Sequence, residues 1–308
     1  PPRSTLFPYT TLFRSMKLVG YNIQYTKGRD GRYVPARIAE ALDGADIIAL
    51  QEVERNWPRT AMADQTADLA ALLPDYYWVY CPAFDMDASE AAADGTVVNR
   101  RRQFGNMLLA RWPIIWSRNY VLPKLATVAQ FNMDASALEG VIDAPGGPLR
   151  VWSIHLSAVS SRERLLQIEY LLDLHGRATT TGAAWTGPRE VRGDDSWAVG
   201  DTPPMPRDAI WMGDFNSTPG SAEYTAIAGA DDAHYGHVAH VDRFADSWTA
   251  AGNGRDDRAS RPSSDGRDAT HLDYCFVSPC FASRVRSSHI DRDAVGSDHQ
   301  PVWVDIDI

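Results

Sequence analysis

The sequence contains little cysteine and no long apolar run. Its 308 residues include three cysteines, Cys81, Cys275 and Cys280, which are too few for a disulfide framework in a chain of this length. A reducing compartment fits this usage best, and we expect a cytoplasmic protein. No apolar stretch approaches the roughly 20 residues that cross a membrane as a helix, so we expect no transmembrane segment.

Positive charge is also scarce. The chain has 30 Lys and Arg residues against 40 Asp and Glu, which gives a net charge of -10. Tight nonspecific binding to nucleic acid relies on Lys and Arg side chains that neutralise phosphates, and this balance argues against it. A small phosphoester held by a metal ion and a few local cations remains compatible with the composition. The apolar fraction of 44% is ordinary for a globular protein with a packed core.

Residues 1–15 look foreign to the rest of the chain. The letters TLFPYTTLFRS, from Thr5 to Ser15, resemble a translated sequencing adapter fused in frame. The apolar content before Met16 is too short, and too broken by Pro and Arg, for the core of a secretory signal. We expect residues 1–15 to be a foreign or disordered extension, Met16 to be the true start, and residues 16–308 to form a single domain.

The organised pattern opens with two strands separated by a helix. Residues 18–24 and 46–54 are apolar runs of strand length that end in polar residues. Between them, Val34, Ile38 and Leu42 recur at helical spacing, with a proline at the start and a glycine after the end. This order predicts a βαβ-like unit with a buried second strand.

Later segments add strands, a capped helix and three loops. Residues 103–109 form a predicted strand with Asn106 near its start, and a Gly-Gly turn leads into a hairpin strand over 149–156. Ser160 and Glu163 are spaced as a capping box before a helix. Polar or Gly- and Pro-rich composition predicts loops over 84–103, 177–206 and 252–268, of which 177–206 would be a flexible insertion or a lid.

One turn indicates where the chemistry lies. The apolar run Asp208–Met212 ends in Gly213-Asp214-Phe215-Asn216-Ser217-Thr218-Pro219. A buried strand stopped by this turn would present Asp214 and Asn216 at the C-terminal edge of a sheet, where open α/β folds usually place ligands. The pair could bind a hard cation, or position a water and a phosphoryl oxygen, although Asp and Asn also serve ordinary turns.

Other predicted strand ends carry polar side chains of the same kind. They are Asn22, Glu52, Asn106, His155, Asp273, Asp298 and His299. Each one alone has an ordinary structural explanation, such as a strand-end cap or a hydrogen-bonded core residue. Together with Asp214 and Asn216 they provide the groups that metal-assisted phosphodiester hydrolysis requires: hard anionic oxygens for Mg²⁺, a base for water, and an imidazole polarised by a carboxylate.

Seven short motifs occur in sequence along the chain: Tyr21–Gln24, Gln51–Glu54, Gly105–Leu109, Ser153–Leu156, Gly213–Asn216, Leu272–Tyr274 and Gly296–Val302. In this order they resemble the motifs of the endonuclease/exonuclease/phosphatase superfamily, the deoxyribonuclease-I-like fold. The match runs from about Met16 to the C-terminus, and the shared order is far more specific than any single motif. The resemblance implies an α/β fold, a four-layer α/β sandwich in which two mostly antiparallel β-sheets pack face to face with helices on the outer sides.

The resemblance also implies a role for each site residue. Three residues resemble the metal side: Glu52 the principal Mg²⁺ ligand, Asn22 the residue beside it, and Asp298 the acid next to the metal. Asp214 resembles the acid that aligns or activates water. Asn216 resembles the phosphate-binding amide, and His299 resembles the phosphate-facing histidine, which Asp273 orients. The expected cofactor is therefore Mg²⁺, with Mn²⁺ as an alternative ion.

Two further residues carry substrate-binding expectations. His155 lies where several branches of the superfamily have a Thr-His-Leu motif, with Ile154 in place of the threonine here. That histidine is commoner in phosphatase and sphingomyelinase-like branches than in abasic-site endonucleases. We expect His155 to be both catalytic and substrate-binding, and Asn106 to bind substrate.

These observations favour a Mg²⁺-dependent phosphoesterase that hydrolyses a phosphodiester or phosphomonoester by metal-assisted attack of water. The acidic charge makes a small molecule or a lipid head group a better substrate candidate than duplex DNA, and we expect a monomer. Two alternatives stay open: an endonuclease or exonuclease acting on DNA or RNA, and a catalytically silent binding protein on the same fold.

Two clusters have less certain meaning. His234, His237 and His240 are spaced three apart, as Zn²⁺ ligands can be, but no cysteine or carboxylate completes a clear site. The run Arg100–Arg102 precedes the predicted strand of Asn106 and would either attract an anionic substrate to the rim of the site or form a plain surface patch.

Overall fold

The computed structural model describes residues 15–187, 200–254, 258–264 and 268–308. In chain order the strands are β1 (Ser15–Asn22), β2 (Ile47–Arg55), β3 (Tyr77–Asp87), β4 (Glu90–Ala91), β5 (Val97–Val98), β6 (Arg101–Ala110), β7 (Ile114–Val121), β8 (Ser136–Ala144), β9 (Gly147–His155), β10 (Ala209–Asp214), β11 (Ala230–Asp232), β12 (Gly236–Val238), β13 (Ala245–Asp246), β14 (Asp273–Val277), β15 (Val285–Ile290) and β16 (Val302–Asp307). The helices are α1 (Pro35–Ala41), α2 (Gln65–Leu72), α3 (Ser161–Gly176), α4 (Ala178–Thr181), α5 (Ala222–Ala228), α6 (Ser247–Ala250) and α7 (Pro279–Ala282).

Two six-stranded sheets form the centre of the molecule. Their strand orders are β15-β16-β1-β2-β6-β3 and β13-β14-β10-β9-β8-β7. Each sheet has a single parallel pair, β1 with β2 in the first and β9 with β10 in the second, and its other neighbours run antiparallel. A parallel pair needs a crossover connection, and α1 and α3 lie in those two connections.

The two sheets pack face to face through side chains from alternate strand positions. Leu18, Ile47 and Leu108 of the first sheet belong to the same buried cluster as Val151 and Ile210 of the second. The alternate positions of the same strands point outward, where helices cover them. Because both faces of the central strands are buried, these strands are continuously apolar in sequence rather than alternating.

Helices complete the outer layers on both sides. Ile38 of α1 and Leu69 of α2 share a buried cluster with Ile48 on the outer face of the first sheet. Ile168 of α3 and Ile227 of α5 pack in the cluster that covers the outer face of the second sheet. The described residues thus form the four-layer α/β sandwich that the resemblance implied, and that prediction is confirmed.

The predicted loop over residues 84–103 is wrong. Strands β3 and β6 stay paired out to Asp87 and Arg101, and the small β4–β5 hairpin extends the same ribbon. Cross-strand ion pairs support it, from Arg101 to Asp85 at 2.8 Å and from Arg100 to Glu90 at 3.1 Å. No residue of the ribbon from 85 to 101 is buried, so its strands lack the alternation that identifies a half-buried strand.

The second predicted loop, 177–206, is only partly described. It begins with the short helix α4, and its ends lie against the second sheet, where Arg118 donates to the carbonyl of Ala183 at 2.6 Å and Trp116 to that of Pro204 at 2.8 Å. Residues 188–199 lie outside the described residues, so the choice between an insertion and a lid stays a prediction. The third loop, 252–268, lies outside them at 255–257 and 265–267.

The first described residues already belong to the sandwich. Ser15 pairs with Asp307 as the first residue of β1, and Met16 is fully buried between the sheets. Residues 1–14 lie outside the described part, and the proposed division of the chain into residues 1–15 and 16–308 stays a prediction. No described helix has the length and apolar character needed to cross a membrane.

A buried ion pair ties two strands of the second sheet together. Arg150 donates from Nε to Oε1 of Glu139 at 2.6 Å, and Tyr120 donates its hydroxyl to Oε2 at 2.9 Å. Arg150 also reaches the carbonyl of Arg207 at 3.0 Å. Neither charged side chain is more than 1% exposed, so each depends on the other for compensation of its charge.

We expect Glu139→Gln to lower the free energy of unfolding by about 3–5 kcal/mol, because it leaves the Arg150 guanidinium buried without a counter-charge. Urea unfolding measures the change. The control is Glu90→Gln, which breaks an exposed pair with Arg100 and should cost no more than about 1 kcal/mol. Equal effects of the two substitutions would contradict the assigned role of the buried pair.

Candidate active site

The polar strand ends meet at one edge of the sandwich because of the strand directions. Asn22 ends β1, while His155 and Asp214 end the parallel neighbours β9 and β10. In the second sheet, Asp214 is paired with His155 on the neighbouring strand β9 and with Asp273 on the other neighbour, β14. Parallel strands bring their C-terminal ends to the same edge, and the packed sheets bring the two edges together.

Glu52 reaches this edge through an irregularity in β2. The pairing of β2 with β6 shifts register between Leu50 and Val53, and Glu52 has a positive φ of 59°. A bulge of this kind leaves extra residues unpaired and redirects their side chains. Glu52 consequently lines the cavity together with Asp214 and Asp298, although the regular alternation of β2 does not require it to.

Asn22 connects carboxylates that belong to different sheets. Its fully buried amide donates to Oε1 of Glu52 at 2.9 Å and to Oδ2 of Asp214 at 3.0 Å. Its Oδ1 accepts from the backbone N–H of Gln24 at 3.0 Å, which fixes the orientation of the amide. Asn22 therefore holds the two carboxylates in place. That Asn22 also binds the metal directly stays a prediction.

The turn after β10 is shaped by close backbone contacts. Gly213 has a φ of 148°, and a Cβ at this position would lie 1.9 Å from the carbonyl oxygen of Ile154, so no other residue fits. Asn216, with a φ of 48°, donates its backbone N–H to Oδ1 of Asp214 at 2.8 Å and its side-chain amide to the carbonyl of Leu156 at 2.9 Å. These bonds hold Asn216 beside Asp214 at the cavity wall.

His299 and Asp273 form a buried pair. Nδ1 of His299 lies 2.8 Å from Oδ2 of Asp273, which also accepts from the hydroxyl of Ser260 at 2.6 Å. The other ring nitrogen, Nε2, faces Oδ2 of Asp214 at 3.8 Å. Burial lowers the pKa of His299, but the carboxylates of Asp273 and Asp214 outweigh it and raise that pKa to about 10, so the imidazole is cationic at neutral pH.

His155 approaches the same carboxylates from the opposite side. Its Nε2 lies 3.8 Å from Oδ2 of Asp214 and 4.0 Å from Oε1 of Glu52. The imidazoles of His155 and His299 thus face one oxygen of Asp214 from two directions. A phosphoryl group in this space would meet two donors and a carboxylate that can accept a proton from water.

The donor set fits a hard divalent cation. Burial raises the pKa of Glu52, and the neighbouring His155 and the hydrogen bond from Asn22 offset this only in part, so a further positive charge beside this carboxylate would be favourable. Asp298 lines the same cavity. Ligand atoms of Asp214, Asp273 and His299 also lie within 4.8 Å of one another, but His299 and Asp273 already bond to each other. The assignment of a metal ion to Glu52 and Asp298 stays a prediction, which their shared position on the cavity wall permits.

A cavity of about 360 Å³ contains most of the predicted site residues. Glu52, His155, Asp214, Asn216, Asp298 and His299 line it, and Asn22 and Asp273 lie directly behind them. Asn106 is not brought there. It is fully buried in the middle of β6 and donates to the backbone carbonyls of Ser136 at 2.8 Å and Ser153 at 3.1 Å. Its position supports a structural role between the sheets rather than substrate binding.

Sequence reasoning missed several residues of the cavity. Arg59 and Tyr25 line one side, Arg261 lies near His299, and Phe131 lines the rim. Ser260, which supports Asp273, was missed as well. All of them lie in turns or loops without a repeating pattern, and only the folded chain brings them next to the strand ends.

The two uncertain clusters lie elsewhere. His237 bonds the carbonyl of Ala228 and lies 3.3 Å from Asp231, and no group of metal-ligand atoms among the described residues includes His234, His237 or His240. Arg100 and Arg101 pair with acidic residues of the ribbon, and neither lines the cavity. The surface interpretation of the arginine run is thereby favoured.

Solved structures of similar fold cover nearly the whole chain. One is an endonuclease/exonuclease/phosphatase from Bacteroides vulgatus, with 19% identity over 96% of this chain and 99% of that chain and a TM-score of 0.63. Another is the mannosyl-6-phosphatase Bt3783 of Bacteroides thetaiotaomicron, with 18% identity over 94% and 98% of the chains and a TM-score of 0.56. A third is TDP2 from C. elegans, with 14% identity over 96% and 75% and a TM-score of 0.56.

Identities at this level show the shared fold and no more. No curated protein matches the chain in sequence. The family assignment comes from residues 19–299, which match the model of the Endonuclease/Exonuclease/phosphatase family and include all the candidate site residues; the chain belongs to that family.

Proposed function

We propose that this protein is a Mg²⁺-dependent phosphoester hydrolase that cleaves a phosphodiester or phosphomonoester by attack of water. The observation that carries the proposal is the position of Asp214. Its Oδ2 accepts the Asn22 amide at 3.0 Å and faces Nε2 of both His155 and His299 at 3.8 Å. A carboxylate held between two imidazoles and beside Glu52 matches the needs of a water-activating base at a phosphoryl site.

The metal would be held by Glu52 and Asp298, with Asn22 orienting the shell, and Mn²⁺ would be an alternative ion. When bound, such an ion polarises a phosphoryl oxygen and neutralises charge that develops during displacement. Glu52 contributes an anionic oxygen at a fixed position, because Asn22 donates to it at 2.9 Å. Hard cations of this kind prefer carboxylate and amide oxygens, which is the chemistry present here.

Asp214 aligns the attacking water and takes its proton. Its two oxygens are held by different donors, the Asn22 amide and the backbone N–H of Asn216 at 2.8 Å, so its orientation is fixed before substrate arrives. His155 is near enough to bind a phosphoryl oxygen or the leaving group. Asn216 presents its amide at the wall of the same cavity.

His299 supplies positive charge where negative charge develops on the phosphoryl oxygens. Asp273 accepts from its Nδ1, which directs Nε2 towards Asp214 and keeps the ring protonated at neutral pH. A cation positioned in advance stabilises a transition state without reorganisation, and such preorganised groups contribute strongly to catalysis. Ser260 donates to Asp273 and keeps that carboxylate from rotating.

The cavity size and the net charge support a small phosphoester or a lipid head group over duplex DNA. A volume of about 360 Å³ is in the range of small-molecule sites. One protein of similar fold is named a mannosyl-6-phosphatase, and such an activity is hydrolysis of a phosphomonoester. We also propose that the protein acts as a monomer and in the cytoplasm.

A substrate panel tests the proposal. It contains bis(4-nitrophenyl) phosphate, 4-nitrophenyl phosphate, sphingomyelin, inositol phosphates, single- and double-stranded DNA, and RNA, each with Mg²⁺, Mn²⁺ or EDTA. Metal-dependent turnover of a small phosphoester is the expected result. Preferential cleavage of nucleic acid would move the assignment to the nuclease alternative, and no turnover with any substrate or metal would favour the silent binding protein.

We expect Glu52→Gln to raise the Mg²⁺ concentration for half-maximal activity by at least about tenfold, because an anionic ligand is lost while the shape is kept. Activity titrated with MgCl₂ measures the change. Glu169→Gln, an exposed glutamate on α3, serves as the control and should leave the requirement as in wild type. An unchanged requirement in the Glu52 variant would remove Glu52 from the metal site.

A further inference from the structure

An arginine lies between aromatic rings on one side of the cavity. The guanidinium carbon of Arg59 is 3.9 Å from the ring centre of Tyr25 and 4.4 Å from that of Trp57. Arg59 and Tyr25 both line the cavity that contains Asp214 and His299. We call Tyr25, Trp57 and Arg59 the arginine stack. Nothing in the hydrolytic mechanism proposed above uses it.

Buried polar residues build the stack. Glu54, which is fully buried, accepts from Nε and NH2 of Arg59 at 2.9 and 2.7 Å, and its other oxygen accepts from Thr60 at 2.6 Å. Gln65, only 1% exposed, accepts from the backbone of Glu54 at 3.1 Å and donates to the carbonyl of Tyr25 at 2.6 Å. One side chain thus fixes both the strand that carries Glu54 and the turn that carries Tyr25.

The backbone around the stack is unusual as well. Eight described residues other than glycine have a positive φ. Seven of them lie in two segments, 24–26 and 52–62, which contain the arginine stack and Glu52. These seven are Gln24, Tyr25, Thr26, Glu52, Asn56, Ala61 and Met62. Conformations of this kind cost energy, persist only where the surroundings enforce them, and concentrate at functional sites.

The chemistry of the stack points to an anionic partner. The guanidinium covers faces of both rings, which leaves little aromatic face for a base or sugar to stack on. Among the described residues Arg59 pairs with no carboxylate except Glu54, although the cavity also contains Glu52, Asp214 and Asp298. Its NH1 donors have no protein partner in that part of the chain, and 36% of the side chain is exposed.

We propose that the arginine stack is a specificity subsite in which NH1 of Arg59 binds an anionic oxygen of a second acidic group on the substrate. The substrate class would then be phosphoesters with a carboxylate or phosphate flanking the reacting phosphorus, rather than diesters with neutral substituents. This inference rests on the proposed hydrolase function. The planar, charged guanidinium is suited to such groups, and its anchoring to Glu54 limits the entropy lost on binding.

The test compares aryl phosphodiesters with one leaving group, 4-nitrophenolate. The second substituent is either ethyl or a carboxyalkyl chain with two or four methylene groups. For wild type in MgCl₂ we expect kcat/KM for the better carboxyalkyl ester to exceed that for the ethyl ester about tenfold or more. In Arg59→Gln this ratio should fall to near one, and in Arg59→Lys to an intermediate value, since the charge remains without the planar fork.

Arg286→Gln is the matched control, because Arg286 is an exposed arginine on β15 paired with Asp307, and it should keep the wild-type ratio. A wild-type ratio near one for both chain lengths would overturn the subsite. So would an equal loss on all esters in the folded Arg59 variants, which would place Arg59 on the reacting phosphate. Absence of metal-dependent turnover of every ester by wild type would instead refute the hydrolase function.

Calorimetric titration gives a readout without turnover and guards against a variant that is merely destabilised. In MgCl₂, 3-phosphonopropionate should bind wild type about tenfold more tightly than ethylphosphonate, which lacks the carboxylate. The difference should disappear in Arg59→Gln protein whose thermal unfolding remains cooperative. Retention of the difference in that folded variant would refute the subsite.

Discussion

Replacing Asp214 by asparagine is expected to lower kcat for an aryl phosphodiester by about a thousandfold, within the range that positioned proton transfer contributes. The side chain keeps its size but loses the capacity to accept a proton from water. Its Oδ2 is also the atom that receives the Asn22 amide at 3.0 Å and faces Nε2 of His155 and His299. A single exchange of oxygen for nitrogen therefore disturbs the centre of the site.

The same substitution should not destabilise the fold. Asp214 lies beside Glu52 and Asp273 in a largely buried cluster of carboxylates, so the substitution relieves repulsion there, which offsets the loss of its attraction to His299. We expect the thermal midpoint of Asp214→Asn without added metal to equal or exceed that of wild type. Lost activity together with retained stability is typical of a residue kept for function rather than for the fold.

Asp305→Asn provides the chemical control for this experiment. Asp305 lies on β16, accepts from Ser287 at 2.8 Å, and does not line the cavity, so activity should stay at the wild-type level. Steady-state kinetics with saturating Mg²⁺ measure kcat for both variants. Retention of more than a tenth of kcat in Asp214→Asn would exclude Asp214 as the group that accepts the proton.

The sequence identified most of the polar residues that line the candidate site because these residues end regular strands. Asn22, His155 and Asp214 each terminate a buried apolar run, and parallel pairing carries such ends to one edge. The order of motifs implied how the two sheets would face each other. The fold class needed the same two kinds of information, apolar runs for the strands and motif order for their arrangement.

The sequence could not provide the position of each residue along its strand or relative to the neighbouring strands. Asn106 was predicted near the start of its strand, but β6 begins at Arg101 as part of a ribbon, so Asn106 falls in the middle, between the sheets. The position of Glu52 depends on a bulge that leaves no trace in the apolar pattern of β2. Both cases turn on the register of strand pairing, and local sequence specifies register only where one face is polar.

The arginine stack was missed for a related reason. Arg59 meets Tyr25, which is 34 positions earlier by sequence number, through a turn in left-handed conformations and a bridge from Gln65. None of these contacts follows a period of two or of 3.6 residues. Strand β15, with the letters VRSSHI, was missed because it is an edge strand that pairs only with β16 and carries few apolar residues.

The second large effect concerns pH, and it depends on Asp273. In wild type the carboxylates of Asp273 and Asp214 overcome the lowering effect of burial and raise the pKa of His299 to about 10. Activity that requires cationic His299 should therefore persist well above pH 7 and decline only as the pH approaches that value. Asp273→Asn removes the largest contribution that raises the pKa, so burial should dominate and the pKa of His299 should fall.

We expect the alkaline limb of the kcat/KM profile in Asp273→Asn to move to lower pH by at least about one unit, because burial and charge pairing each shift pKa values by that much or more. Near pH 9 the variant should lose most of its remaining activity while wild type keeps its own. His299→Ala should show low activity without an alkaline limb due to His299.

An NMR titration of the His299 ring in EDTA checks the assignment independently of turnover. An unchanged His299 pKa in Asp273→Asn would contradict it. Asp305→Asn is the control for net charge. If its alkaline limb moved as far as that of Asp273→Asn, the shift would come from the change in net charge rather than from loss of the hydrogen bond from His299 to Asp273.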